Sequence, residues 1–177
     1  MKGNMDKRSR RQDHEPKEFE EKVIRISRVS KKTKGGNQIG FTALVVIGDK
    51  KGRVGVALGK AKDVISAIKK GVRKAKKRLI TIPLVDGRTV AHAVNHKFGA
   101  ARLLLKPAPE GTGVIAGGSV RAVLELAGVK DVVAKTLGTN NKLSNVTATF
   151  QALKHIEETV STKKALGQMH TSKKAEK

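Results

Sequence analysis

Hydrophobic and polar positions change their spacing several times along this chain, and each change marks an element. Residues 1–18 are polar and mixed in charge without periodicity, which predicts a disordered tail. From Val23 the pattern alternates, with Ile24 and Ile26 against Arg25 and Ser27, as in a half-buried strand. Residues 30–38 (SKKTKGGNQ) read as a basic, glycine-containing loop. The unbroken apolar run at 41–47 (FTALVVI) predicts a buried strand, and GDKKG at 48–52 a turn. Residues 53–58 return as a third strand with Val54, Val56 and Leu58 on one face.

The period then lengthens. Ile65, Ile68, Val72, Ala75 and Leu79 recur at three and four residues, a helical stripe facing a core, with Asp63 as its N-cap. Three antiparallel strands with one helix across them make a compact α+β layer. Residues 80–85 form a linker or short strand, and Asp86-Gly87 a hairpin turn leading into residues 89–94. Residues 102–105 are a strand stopped by Pro107-Ala108-Pro109. A glycine-rich stretch precedes a short helix from Ser119 to Ala127, closed by Gly128. Residues 131–137 are a strand and 138–145 a loop. A last helix starting at Ser144 or Asn145 turns Val146, Phe150, Leu153 and Ile156 inward. Past about Thr162 the chain is polar and basic again, and no internal repeat is present.

Charge narrows the class of partner. The 177 residues carry 38 Lys+Arg against 15 Asp+Glu, a net charge of +23. The excess is concentrated: residues 23–78 hold seventeen basic side chains and two acidic ones. Self-repulsion of this size calls for a polyanion. No apolar run approaches the roughly 20 residues that span a bilayer, so no membrane partner is expected. The N-terminus lacks the apolar core of a signal peptide, which predicts a cytosolic location. With no cysteine there is neither a disulfide framework nor a thiolate metal site. Nucleic acid is what remains. Four Phe and no Tyr or Trp cannot build a platform for stacked bases, so phosphates, 2′-hydroxyls and the shape of folded RNA are the expected targets.

Within the basic segment, Lys31, Lys32 and Lys34 with Gly35 and Gly36 combine phosphate neutralisation with close backbone approach. Lys60 and Lys62 precede a helix N-terminus, where their own sign opposes the dipole and an anion would resolve the conflict. The helix face bearing Lys69, Lys70, Arg73, Lys74, Lys76, Lys77 and Arg78 has no acid with which to pair. GTGVIAGG at 111–118 lacks the Lys-Ser or Lys-Thr of a phosphate-binding loop, and Ala116 stands where the dinucleotide fingerprint G-x-G-x-x-G has its third glycine. It reads as a tight turn, and no cofactor is expected. His92 and His96 lack further ligands for a metal, so none is predicted, and they read as hairpin residues near RNA. No catalytic constellation stands out, so the chain is not expected to be an enzyme. Composition alone also admits an RNA chaperone or packaging protein.

Two long motifs carry a family resemblance. Arg28-Val29-Ser30-Lys31, Lys34-Gly35-Gly36, FTALVV at 41–46, Gly52-Arg53-Val54-Gly55 and Gly59-Lys60-Ala61 make up the first. Pro107-Ala108, EGTGVIAGG at 110–118, VRAVLE at 120–125 and Ala127-Gly128-Val129 make up the second. In this order, over about residues 20–157, they resemble the small-subunit ribosomal protein five family. The resemblance implies an α+β chain. Residues 1–18 would be a disordered tail and 19–82 a double-stranded-RNA-binding-like domain of three antiparallel strands plus a helix. Residues 83–160 would be a small α/β domain with a left-handed βαβ crossover, and 161–177 a basic C-terminal tail. It also implies a ribonucleoprotein role in translation. The expected partners are small-subunit rRNA, mRNA near its entry channel, and ribosomal proteins four and eight, with an effect on subunit assembly and decoding accuracy. The candidate RNA-binding set is Arg25, Arg28, Ser30, Lys31, Lys32, Lys34, Gly35, Gly36, Lys50, Lys51, Arg53, Lys60, Lys62, Arg88, His92, Lys97, Lys135, Asn140, Asn141 and Lys142. Gly111, Gly113, Gly117, Gly118 and Arg121 are the candidate interface with a protein neighbour.

Overall fold

The computed structural model describes residues 18–175, with side chains through Thr162, so nearly all of the predicted N-terminal tail lies outside the described residues. The first sheet has the order β1 (Glu20–Thr33), β2 (Gly36–Gly48), β3 (Arg53–Ala61), β4 (Leu79–Thr81), antiparallel throughout. It exceeds the three predicted strands because Leu79 to Thr81 leave the helix and pair along Gly55 to Arg53. The segment 30–38 is not a loop but the end of a long hairpin. Lys31, Lys32 and Thr33 pair with Gln38, Asn37 and Gly36, leaving Lys34 and Gly35 as the turn. Helix α1 (Val64–Lys76) follows Asp63, whose side chain makes no capping hydrogen bond.

Every apolar side chain of the run 41–47 is needed because the sheet is covered on both faces. Ala43, Val45 and Ile47 pack toward α1 in one cluster with Phe19, Ala57, Ala67 and Ala75. Leu44 and Val46 point the other way, into a larger core shared with Val54 and the second half of the chain. The α1 contact differs from the predicted stripe. Its buried line is Ala67, Gly71 and Ala75, while Ile65 is 69% exposed. These small residues sit against Gly55 and Gly59, and the backbones approach so closely that a Cβ on Gly59 would run into the Ala67 carbonyl and the Gly71 backbone. Val54, Val56 and Leu58 do share a face, but it is the one turned away from α1, and Leu58 stays exposed.

A two-stranded ribbon, β5 (Leu84–Val85) and β6 (Thr89–Val90), turns at Asp86-Gly87, both with positive φ. The next hairpin, β7 (Val94–Phe98) and β8 (Ala101–Pro107), has no counterpart before residue 102 in the sequence reading. Polar Asn95, His96 and Lys97 hide β7 from a hydrophobicity pattern. Short β9 (Val114–Ile115), helix α2 (Gly118–Ala127) and β10 (Val132–Leu137) form a βαβ unit, and the second sheet has the order β7-β8-β10-β9. The N-cap of α2 is Gly117 rather than Ser119. Helix α3 (Lys142–Ala175) starts earlier than predicted because Asn141 caps it, its Oδ1 accepting from the Leu143 N–H at 3.1 Å. Val146, Leu153 and Ile156 are fully buried and Phe150 only half so. The helical backbone continues to Ala175, through most of the segment 161–177 that the sequence suggests as a tail.

Two devices brace the structure, the first of them joining the halves. A helix leaves its last four carbonyls without internal partners. In α2 the Gly128 N–H takes Glu125 O (3.1 Å) and the Val129 N–H takes Leu124 O (3.0 Å), with Gly128 at φ +88°. The other two carbonyls accept from the β2–β3 turn: Lys50 N–H to Leu126 O at 3.0 Å and Gly52 N–H to Ala127 O at 2.9 Å. The second device is a clamp on the glycine-rich loop. Buried Asp131 accepts from the Gly113 N–H (2.9 Å) and from Arg88 Nε (3.0 Å), while Arg88 also pairs with Glu110. The Gly113 N–H, and then the Arg88 guanidinium, hold the Asp131 carboxyl below its ordinary range against the opposing effect of burial.

Gly59→Ala should destabilise by about 1–3 kcal/mol or more, since the α1 backbone must move, and chemical denaturation would measure the loss. Asp131→Asn should also destabilise. Because the folded carboxyl is held low, its contribution is complete above about pH 4 and disappears as pH falls through the folded value. The gap in urea midpoint between the wild type and Asp131→Asn should therefore shrink from pH 6 to pH 3.

Candidate nucleic-acid interface

The far end of the first sheet extends past the helices that cover it, and the basic residues gather there. Lys31 on β1, Lys60 at the end of β3, Lys62 ahead of α1 and Lys70 nearly two turns inside α1 line one open groove, with Ser30 and Gln38 also on its lining. β2 separates β1 from β3, so those two strands are about 10 Å apart, and Lys31 and Lys60 face the groove from its two sides. Lys70 belonged to the basic helix face in the sequence but not to the candidate set. Only the folding of α1 back over β3 puts it beside Lys60. Lys32 and Lys34 are exposed at the hairpin end. A Cβ on Gly35 or Gly36 would meet open space, so internal packing does not demand glycine at either position, although Gly36 has φ +126°. Among the described residues, none of Lys31, Lys32, Lys34, Lys60, Lys62 or Lys70 lies within 4.0 Å of a carboxylate.

A second groove continues along the sheet toward α3. Arg25, Ser27 and Val29 of β1, Thr42, Leu44 and Leu58 of the neighbouring strands, and Asn141 and Leu143 at the start of α3 line it. Arg25 and Arg28 are exposed on opposite faces of β1. Asn140, in the loop that enters α3, and Lys142, the first residue of that helix, are exposed on either side of Asn141.

Other members of the candidate set are already paired with carboxylates of the chain itself. Arg53 donates from Nε to Asp49 Oδ2 at 2.7 Å and from Nη2 to Glu18 Oε1 at 3.0 Å, and its guanidinium lies 5.0 Å from the centre of the Phe19 ring. Burial pushes the Asp49 carboxyl up, but Arg53 and the Lys51 and Arg53 N–H groups outweigh it and hold the carboxyl low. Lys50 pairs with Glu20, and Arg88 is bound in the Asp131 clamp. Only Lys51 of that turn extends outward without a carboxylate partner among the described residues. The sequence signal for these pairings was weak, because Glu18, Glu110 and Asp131 are 35, 22 and 43 residues from their arginines.

The histidines do not meet as a pair. His96 lies 3.2 Å from Gln151 Oε1 on α3, and His92 is half-buried in the connection before β7. Lys97 and Lys135 are exposed on the second sheet, remote in sequence from the hairpin. In the glycine-rich stretch, Gly111, Gly117 and Gly118 are exposed and Gly113 is tied to Asp131. Arg121 donates to Glu125 Oε1 at 2.6 Å, and the other oxygen of Glu125 accepts from Lys22 at 3.2 Å. Arg121 and then Lys22 hold the Glu125 carboxyl low. Arg121 nevertheless remains more than half exposed next to the two glycines that open α2.

Known proteins resemble the chain over both of its halves. Residues 19–83 match the family described as ribosomal protein S5, N-terminal domain, and residues 96–173 match ribosomal protein S5, C-terminal domain. The chain is 53% identical over 135 residues to small ribosomal subunit protein uS5c of Cyanidium caldarium, covering 76% of this chain and 80% of that relative. It is 52% identical over 150 residues to small ribosomal subunit protein uS5 of Methylobacterium radiotolerans, covering 84% and 77%. Against uS5 of Nitrobacter winogradskyi it is 51% identical over 148 residues, covering 84% and 78%. Two family domains in sequence order, spread over a sheet that serves two cores, place this chain in the ribosomal protein S5 family, whose members are structural and not enzymes.

Proposed function

We propose that the chain is a structural constituent of the small ribosomal subunit that binds small-subunit rRNA through phosphate contacts made by the β1–β2 hairpin and the adjoining lysine groove. The observation that carries this reading is the convergence of Lys31, Lys60, Lys62 and Lys70 on one groove with no carboxylate partner among the described residues. Without an anion their mutual repulsion opposes the fold; a phosphate backbone relieves it, and release of the counterions condensed on the RNA favours binding. The α1 N-terminus adds unpaired N–H groups beside Lys62. Poverty in aromatics favours recognition of folded RNA by shape over capture of splayed bases. The relatives' names support placement in the small subunit, and with it a ribosomal, cytoplasmic location.

The finer expectations belong to the same reading. The hairpin end serves near the mRNA entry side, and Gly111, Gly113, Gly117, Gly118 and Arg121 meet a neighbouring ribosomal protein, four in preference to eight. Contact there would link the chain to decoding accuracy, and both faces together to subunit assembly. An exposed Arg121 beside an α2 N-terminus without a side-chain cap supports a polar neighbour at that end.

Neutralising Lys31, Lys32 and Lys34 together by glutamine should lower the salt slope of rRNA binding by up to about 3 units, measured by filter binding across a salt series. An unchanged slope removes the hairpin from the phosphate-contacting set. Sedimentation of a lysate separates this reading from a free RNA chaperone: the chain should travel with the small subunit, and recovery mostly outside that fraction would refute the ribosomal assignment.

A further inference from the structure

Helix α1 leaves part of its own sheet bare. Its close contacts are with β2 and β3: Ala67 and Gly71 lie on Gly59, Ala75 lies on Gly55, and Ala43, Val45 and Ile47 pack beneath. A helix is about 10 Å wide and strands are about 4.8 Å apart, so one helix covers about two strands. The edge strand β1 is left over. The register places Val23 opposite Val45 and Ile26 opposite Ala43, with a bulge between them, so both side chains lie on the α1 face of the sheet, and both are exposed. On α1, Ile65, Ile68 and Val72 follow at three and four residues. Ile68 and Val72 are only half-buried and line an open groove with Glu21 of β1, and Ile65 stands exposed one turn further along.

Single exposed apolar side chains are ordinary, but a contiguous strip of them marks a contact surface. This strip has a charged rim. Lys69, Arg73 and Lys76 border it on α1, and Arg28, opposite Phe41, borders it on β1. None of these four cations lies within 4.0 Å of a carboxylate among the described residues. An apolar centre inside a polar rim is the anatomy of a protein–protein contact.

We infer that the strip between β1 and α1 receives a helix of another protein of the small subunit, one whose apolar stripe is flanked by Asp and Glu. The inference rests on the placement in the small subunit and on no RNA contact. Charge complementarity with Arg28, Lys69, Arg73 and Lys76 selects acidic flanks. Other occupants fit worse. Residues 1–17 of this chain contain two methionines and no other apolar side chain, too little to cover the strip. A second copy related by a two-fold axis would bring like-charged rims together, against a net charge of +23 per chain. RNA phosphates and hydroxyls gain nothing from aliphatic carbon, which is stabilised only against other apolar surface. A helix is favoured over an added strand because the bulge after Val23 and the charges along β1 obstruct pairing at that edge. Anchors at i, i+3 and i+7 of such a helix match a groove walled by α1 on one side and Val23 and Ile26 on the other.

The test places a photoreactive benzophenone in the strip. The chain has no cysteine, so Ile65→Cys supplies a single thiol for the label, at a side chain exposed enough to be replaced without loss of the fold. The labelled full chain is assembled into small subunits and irradiated. The expected product resists ribonuclease, and mass spectrometry of the captured peptide should show apolar residues at helical spacing with Asp or Glu beside them. Capture of RNA, of a second copy, of this chain's own termini, or of a protein segment without that pattern overturns the inference, as does the absence of any product. Should the label at position 65 block entry into the subunit, the same label on Lys69→Cys carries the test. A label on Lys34→Cys at the hairpin should capture rRNA in the same particles. That capture without a product at position 65 leaves the proposed function standing and removes only the inference, whereas a wild-type chain that does not enter the small subunit removes both.

Discussion

The structure depends on one sheet serving two hydrophobic cores at once. β2 turns Ala43, Val45 and Ile47 to α1 and Leu44 and Val46 to α2 and α3, so neither half can be completed without the other. The β2–β3 turn fixes this sharing by giving two backbone N–H groups to the terminal carbonyls of α2. An unpaired backbone carbonyl in that position would be costly, so the turn and the helix end satisfy each other. With no Trp or Tyr to contribute area, tight backbone contact of Gly55 and Gly59 with α1 replaces bulk in the smaller core.

The same sharing organises the charge. Where the second half covers the sheet, cations are paired: Arg53 with Asp49 and Glu18, Lys50 with Glu20, Lys22 with Glu125. Where the sheet runs on beyond its cover, cations lack partners and line an open groove. Among the described residues, Glu18, Glu20, Asp49 and Glu125 supply the carboxylates of these pairs. Many of the remaining cations are directed outward at the hairpin, along α1 and across the second sheet.

Much of this was legible in the residues. The run FTALVVI predicted a buried strand, the turn at 48–52 was correctly placed, and Gly128 ended its helix as expected. The Lys31 to Gly36 segment was recognisable as basic and glycine-rich, although its polarity concealed the strand pairing that extends to Thr33. Polar β7 was missed for the same reason, because edge strands with one solvated face need few apolar residues. The helical stripe was misjudged at Ile65, since hydrophobic size suggested contact where the close approach of two backbones selected Ala67, Gly71 and Ala75. Asn141, as a cap two residues before the first apolar position of α3, was a signal present in the sequence and read too late in the chain.

By itself the sequence determined the α+β class, the polyanionic partner and the concentration of positive charge in residues 23–78, because composition and periodicity are local properties. Two long motifs in order determined the family. Tertiary structure decided which cations remain without acids, because an ion pair between residues 35 or 43 apart depends on the path of the chain. It also decided which lysines share a groove. Lys31, Lys60, Lys62 and Lys70 come from β1, β3, the connection after it and α1, and strand pairing with helix packing brings them to one groove.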